Sequence, residues 1–259
     1  MAVSLDNKLG VGISSRALFD LEGENRIYEE QGVQAFLEYQ LAHEKDVLKP
    51  GTAFPLIKAL HRLNVGDRQL VEIIIMSKNS AQTSLRIFNS IEHYGLDISR
   101  AALVSGNKIT PYLSAFRTGL FLSANEQDVQ EAINGGIAAG LICSPNNLSI
   151  DSEEEIDQIR IAFDGDAVIF SDESEKIYKA EGLTAFAEHE RRNAQNPLPE
   201  GPFAKLLTTI SLLQKEFPED QMPIRTALVT ARSAPAHERV IRTLLAWGVR
   251  IDEAFFMGG

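Results

Sequence analysis

The chain has 259 residues, 44% apolar and 24% charged, proportions that exclude a wholly disordered, collagenous or low-complexity protein. Acidic residues outnumber basic ones by 36 to 25, a net charge of −11, which argues against nucleic acid polymers and anionic membranes as partners. The lone cysteine, Cys143, suits a reducing compartment; with no apolar signal-peptide core in MAVSLDNKLG and no membrane-length apolar run, the expectation is a cytoplasmic protein.

Taken in chain order, VGISSRALF (11–19) reads as a buried strand, followed by a polar, partly helical excursion ending at Pro50-Gly51. An amphipathic helix at 53–63 precedes a strand at 71–77, a helix around 81–94 closed by Gly95, and a strand at 101–106. A helix around 110–117, a strand at 118–124 and a helix from Glu126 to about Ala139 follow. The acidic stretch DSEEEID (151–157) reads as a solvated linker or helix start. Beyond it, IRIAFDGDAVIF (159–170) is again a buried strand, with a polar excursion to Gly201-Pro202. Then come a helix at 203–217 stopped by Pro218, a strand at 224–230, a helix at 235–247 closed by Gly248 and a last strand at 254–259. Strands alternating with helices predict an α/β fold of parallel sheets with right-handed crossovers, covered on both faces.

Self-comparison organises the chain further. Residues 26–51 align with 176–201 at a constant offset of 150, with eight identities, among them Tyr28/Tyr178, Gly32/Gly182, Phe36/Phe186 and Gly51/Gly201. MSKNSA (76–81) and VTARSA (229–234) align at offset 153, and so do residues 93–106 and 246–259. The expectation is two tandem homologous halves, residues 1–150 and 151–259, the second lacking about 36 residues that the first possesses after Gly106.

The strongest local signal is Phe163-Asp164-Gly165-Asp166-Ala167-Val168-Ile169-Phe170. Two carboxylates at the end of an apolar strand call for compensation; strand alternation would project them together, inviting a divalent cation with oxygen ligands, Mg²⁺ rather than zinc. Gly165 between them would let an anionic group approach the backbone. The pattern suits phosphoryl transfer, one carboxylate attacking phosphorus while the other handles a proton; the plainer reading is an exposed Asp-Gly turn. In Thr230-Ala231-Arg232, a hydroxyl at a parallel strand's C-terminal end could donate to a phosphate oxygen, with Arg232 as a clamp; Thr230 as a helix cap is the alternative. Ser14, Arg16 and Ser77 stand opposite Asp164, Asp166 and Thr230 in the first half, which is therefore expected to be catalytically dead. It would support the fold, contribute to a shared cleft or bind an effector.

Other patterns are weak. Gly10-Val11-Gly12 lacks the third glycine of a dinucleotide loop, and His43-Glu44 and His189-Glu190 lack a zinc-protease helix's second histidine. Asn147-Leu148-Ser149 matches a glycosylation acceptor without a secretory context.

The segments SSRALFD (14–20), RIYEEQG (26–32), LSAN (122–125), AFDGDAVIFSDESE (162–175), EHE (188–190) and LVTARSA (228–234) closely resemble the cytosolic 5′-nucleotidase type I family, from about residue 8 to Gly259. The resemblance implies a haloacid-dehalogenase-like fold and Mg²⁺-dependent hydrolysis of nucleoside 5′-monophosphates, AMP or deoxynucleotides, to nucleoside and phosphate. It implies Asp164 as the nucleophile forming an aspartyl-phosphate and Asp166 as the general acid that later activates water. Thr230, with Gly165, Ala231 and Arg232, would hold the phosphoryl group. Mg²⁺ would sit on the Asp164 carboxylate and the Asp166 carbonyl, with substrate selection around Ser171–Pro199. The family's phosphoryl-steadying lysine and metal-completing acidic pair follow the final Gly-Gly, so weak or absent turnover is expected of these 259 residues. Two alternatives stand beside this reading: a non-catalytic nucleotide- or phosphate-binding protein, and a broader small-molecule phosphatase. Self-association through an unpaired strand edge of the second half is a further expectation.

Overall fold

The computed structural model describes residues 8–143 and 155–258. The Asn147 acceptor, most of the DSEEEID stretch, the first seven residues and Gly259 lie outside the described residues. The chain divides into two compact units between Asp157 and Gln158.

Unit 1 runs β1 (Leu9–Ile13), α1 (Ser15–Leu18), α2 (Glu22–Ala42), α3 (Phe54–His61), β2 (Val71–Ser77), α4 (Leu85–His93), β3 (Arg100–Leu103), α5 (Thr110–Ala115), β4 (Thr118–Ser123), α6 (Glu126–Asn134) and β5 (Ala139–Leu141). Its five strands form one sheet in the order β3-β2-β1-β4-β5, every pair parallel. β1, central and paired on both sides, is buried along its whole length, which is why it carries small and branched apolar residues and no charge. Ile74, Met76, Leu113, Phe121 and Ala132 belong to one core cluster built from β2, β4 and the helices α5 and α6.

Unit 2 runs β6 (Ile159–Asp164), α7 (Glu173–Arg192), α8 (Ala204–Gln214), β7 (Ile224–Thr230), α9 (His237–Ala246) and β8 (Glu253–Phe256). Its sheet has three parallel strands in the order β6-β7-β8. Among the described residues β6 pairs on one side only, with β7. The expectation of a buried strand through residue 170 is corrected here: Arg160, Ala162 and Asp164 are exposed, as suits a strand with one open edge. The strand also stops at Asp164. Gly165–Ile169 form a single wide turn closed by the Phe170 N–H donating to the Gly165 carbonyl at 2.9 Å, with Ala167 at φ 61°. The corresponding strand expectation for 11–19 likewise fails beyond Ile13, where Ser14 caps α1 by accepting from the Ala17 N–H.

The polar excursions prove to be the long helices α2 and α7, each broken at a glycine in the left-handed region, Gly32 (φ 84°) and Gly182 (φ 82°). Each excursion returns to its strand end at a glycine in very close contact. A Cβ on Gly51 would lie 2.8 Å from the Ala17 carbonyl oxygen, and one on Gly201 only 2.4 Å from that of Phe170. Among the described residues no helix is long and apolar enough to cross a membrane.

Candidate functional site

In unit 2 the expected residues gather at the C-terminal ends of β6 and β7, the side of a parallel sheet where ligands bind. Asp164 is the last residue of β6 and is exposed; its Oδ1 accepts from the Gly165 N–H at 2.6 Å, and among the described residues none donates to Oδ2. Thr230 ends β7 and is buried, and its Oγ1 accepts from the Arg232 N–H at 3.3 Å. A hydroxyl with a lone pair filled in this way keeps its proton to donate. Gly165 brings the two strand ends together: a Cβ there would lie 3.0 Å from Thr230 Oγ1, so the glycine admits the threonine side chain. That differs from the expected reason, approach of an external anion to the Gly165 backbone. Ala231 is exposed beside Thr230.

Asp166 does not continue the strand alternation, because it lies in the turn after β6. Its carboxylate is gripped by Arg232, with Nε donating to Oδ2 at 2.9 Å and Nη2 to Oδ1 at 2.5 Å. Arg232 Nη1 donates to Glu190 Oε2 at 2.5 Å, and the guanidinium lies 5.4 Å from the centre of the Phe186 ring. The guanidinium expected as a phosphate clamp is thus buried and engaged with two carboxylates.

Glu190, on α7, is fully buried and was missed in the sequence. Its Oε1 accepts from Arg239 Nη1 at 2.9 Å and from the Ser174 hydroxyl at 2.8 Å. Burial alone would raise its pKa, but the charges of Arg232 and Arg239 and the Ser174 hydrogen bond outweigh it and hold the carboxyl below its usual range. For Arg232 burial pulls downward, while Asp166 and Glu190 raise its pKa above the ordinary arginine value. The signal for Glu190 was the EHE triplet, set aside for lacking a second histidine; nothing in one sequence marks an isolated glutamate as buried and paired.

A magnesium ion is tested against this donor set. Asp164 offers one carboxylate oxygen and Asp166 its backbone carbonyl, while both Asp166 carboxylate oxygens are engaged by a guanidinium. Among the described residues no group of three or more His, Cys, Asp or Glu side chains could hold a metal ion. These residues by themselves do not complete a magnesium site, and no step below runs through a metal.

An acid at the end of one parallel strand, a hydroxyl at the end of its neighbour and a buried arginine paired with a second acid mark the C-terminal edge of the unit 2 sheet in a parallel α/β protein. The chain belongs to the 5′-nucleotidase family, which it matches over residues 1–259. It is similar to human "Cytosolic 5′-nucleotidase 1B", 40% identical over an alignment 269 positions long that covers 98% of this chain and 43% of that relative. The chain therefore spans less than half the length of this curated relative. No solved structure matches it.

Proposed function

We propose that the chain carries a site that hydrolyses nucleoside 5′-monophosphates to nucleoside and phosphate through an aspartyl-phosphate on Asp164. The observation that carries this reading is the placing of Asp164 and Thr230 at the ends of adjacent parallel strands, with Gly165 close against the threonine hydroxyl, in a chain of the 5′-nucleotidase family. The Asp164 oxygen attacks phosphorus, the bond from phosphorus to the 5′-oxygen breaks, and the leaving oxygen takes a proton from Asp166. Water then attacks phosphorus, returns a proton to Asp166 and releases Asp164. Thr230 donates to a phosphoryl oxygen, with Gly165 and Ala231 lining its place. Asp166 as placed can only accept, so its proton role requires one contact of the Arg232 fork to open. Arg232 acts through Asp166, as a positioning residue.

The reading of two related haloacid-dehalogenase-like halves draws support from matching hydrogen bonds. The Leu48 N–H donates to Ser90 Oγ at 2.9 Å and the Leu198 N–H to Thr243 Oγ1 at 2.9 Å. Arg86 Nε donates to the Asp46 carbonyl as Arg239 Nε does to that of Asn196. All of these positions correspond at the repeat offsets. Mg²⁺ dependence belongs to the proposal only with ligands beyond those described. Self-association through the open β6 edge belongs to it as well.

The test is phosphate release from AMP, IMP, dAMP and sugar phosphates by the native chain and by Asp164→Asn. Release from the nucleotides that vanishes in the variant supports the proposal. Faster release from sugar phosphates, or nucleotide binding with no release, contradicts it.

A further inference from the structure

Unit 1 contains a cavity of about 560 Å³ at the C-terminal ends of β1, β2 and β4, lined by residues of unit 1 alone. It lies where the strand order β3-β2-β1-β4-β5 reverses direction on either side of β1, the usual ligand crevice of an open parallel sheet. From this cavity we propose that unit 1 binds a ring-bearing phosphomonoester, of the nucleoside monophosphate type, without hydrolysing it.

The floor is a set of hydroxyls arranged to donate. Ser14 Oγ accepts from the Ala124 N–H at 3.3 Å, Ser77 Oγ from that of Asn79 at 3.1 Å, and Ser123 Oγ from that of Asn125 at 3.1 Å. The three serines are at most 8% exposed. With backbone amides filling their lone pairs, Ser14 and Ser123 keep protons that no described acceptor takes. Such a floor matches a ligand that only accepts, an oxyanion.

Two cations face the same space. Lys78 is held by Asp128, and Arg16 pairs with Glu22 at 2.8 Å on the exposed rim. An ion pair whose acid is largely exposed stabilises little, so a phosphate can take Arg16 over. Arg16 Nε is moreover buried without an acceptor, a donor whose partner an oxyanion would supply.

The mouth is of a different character. Tyr28 (50% exposed) and Val33 (66%) leave large apolar surface open there, and the Tyr28 and Phe36 rings meet edge to face at 5.9 Å. A flat ring joined to a phosphate fills both parts of the cavity at once. Hydrolysis is excluded by the residues themselves. Ser14 stands at the end of β1 where unit 2 has Asp164. The lining acids Glu24 and Asp128 are tied to Arg86 and Lys78, and the third, Glu29, accepts from the Asn25 amide on the same helix at 2.7 Å.

The experiment is hydrogen-exchange mass spectrometry of the whole chain carrying Asp164→Asn, so that AMP is not consumed, with AMP, adenosine and inorganic phosphate as separate probes. AMP is expected to slow exchange in peptides covering 12–18, 26–40 and 76–84, and adenosine to do so far less. Arg16→Gln, at a half-buried position, and Tyr28→Ala, at an exposed one, are each expected to weaken AMP binding by about tenfold, the equivalent of one charge-assisted contact or one ring contact. Protection confined to 164–171 and 228–234, protection nowhere, equal protection by adenosine, or unchanged affinity in both variants overturns the proposal. Phosphate release is scored separately, so loss of the unit 2 activity and loss of this site are distinguishable.

Discussion

Arg232 and Asp166 form a two-point ion pair, guanidinium Nε and Nη2 on the two carboxylate oxygens at 2.9 and 2.5 Å, while the third arm of the same arginine reaches Glu190. The arginine side chain is only 2% exposed and Glu190 not at all, so these charges rely on one another rather than on water. Arg232→Ala takes the guanidinium from Asp166 and leaves Glu190 with Arg239 as its one arginine partner, beside the Ser174 hydroxyl and the His189 ring. We expect a stability loss of about 3–5 kcal/mol in denaturant unfolding, the range for breaking a buried pair. Arg232→Lys keeps the charge but loses the fork and is expected to lower kcat more than it lowers stability. A Lys variant with unchanged kcat would contradict the positioning role.

Glu190 gives the acid limb of the stability profile. Its folded carboxyl is held below the usual value of 4.5, so as pH falls the unfolded chain takes up this proton first. The stability it contributes is full above that usual value and is lost as pH falls through the folded one. Glu190→Gln is expected to be less stable at pH 7 and to show a shallower loss below about pH 4.5. Parallel curves for the two proteins would show that Glu190 is not the group responsible.

How far the sequence anticipates this arrangement varies by element. The strands 71–77 and 224–230 coincide with β2 and β7 to the residue, because each is an apolar, branched run bounded by polar turns. The helix expected to reach Ala139 stops at Asn134, where Gly135 and Gly136 (φ 77°) end it. β5 at 139–141 went unseen, since three residues carry no period. Thr230 stands at the strand end where it was expected, and β6 ends at Asp164, short of the expected run to 170. The role of Arg232 was not legible, because its true partners, Asp166 and Glu190, lie 66 and 42 residues away in the chain.

Thr230→Val removes one donor and keeps the shape of the side chain. Turnover is expected to fall about 10²–10³-fold, the cost of one oxyanion donor, with a stability loss of about 1–3 kcal/mol because the Arg232 N–H loses its acceptor. Stopped assays on nucleotide substrate together with a melting curve decide it. An active Val variant would reassign Thr230 to a capping role.

Two glycines of the return turns are expected to tolerate no side chain, in contrast to a third nearby. Gly201→Ala forces a Cβ to 2.4 Å from the Phe170 carbonyl oxygen and should cost about 1–3 kcal/mol or more, and Gly51→Ala should behave similarly. Gly23→Ala, in the first turn of α2 with nothing within 4 Å, should be neutral or stabilising by up to about 1 kcal/mol. Denaturation midpoints of the three variants, compared side by side, check the ordering.

The proposed chemistry turns on whether the phosphoryl group passes through Asp164. The chain is mixed with AMP labelled at phosphorus, quenched in acid within one turnover, and digested. Label on the peptide containing residues 159–170, absent from Asp164→Asn, is the predicted result. Phosphate released with no label on protein, or label persisting in the Asn variant, would contradict it.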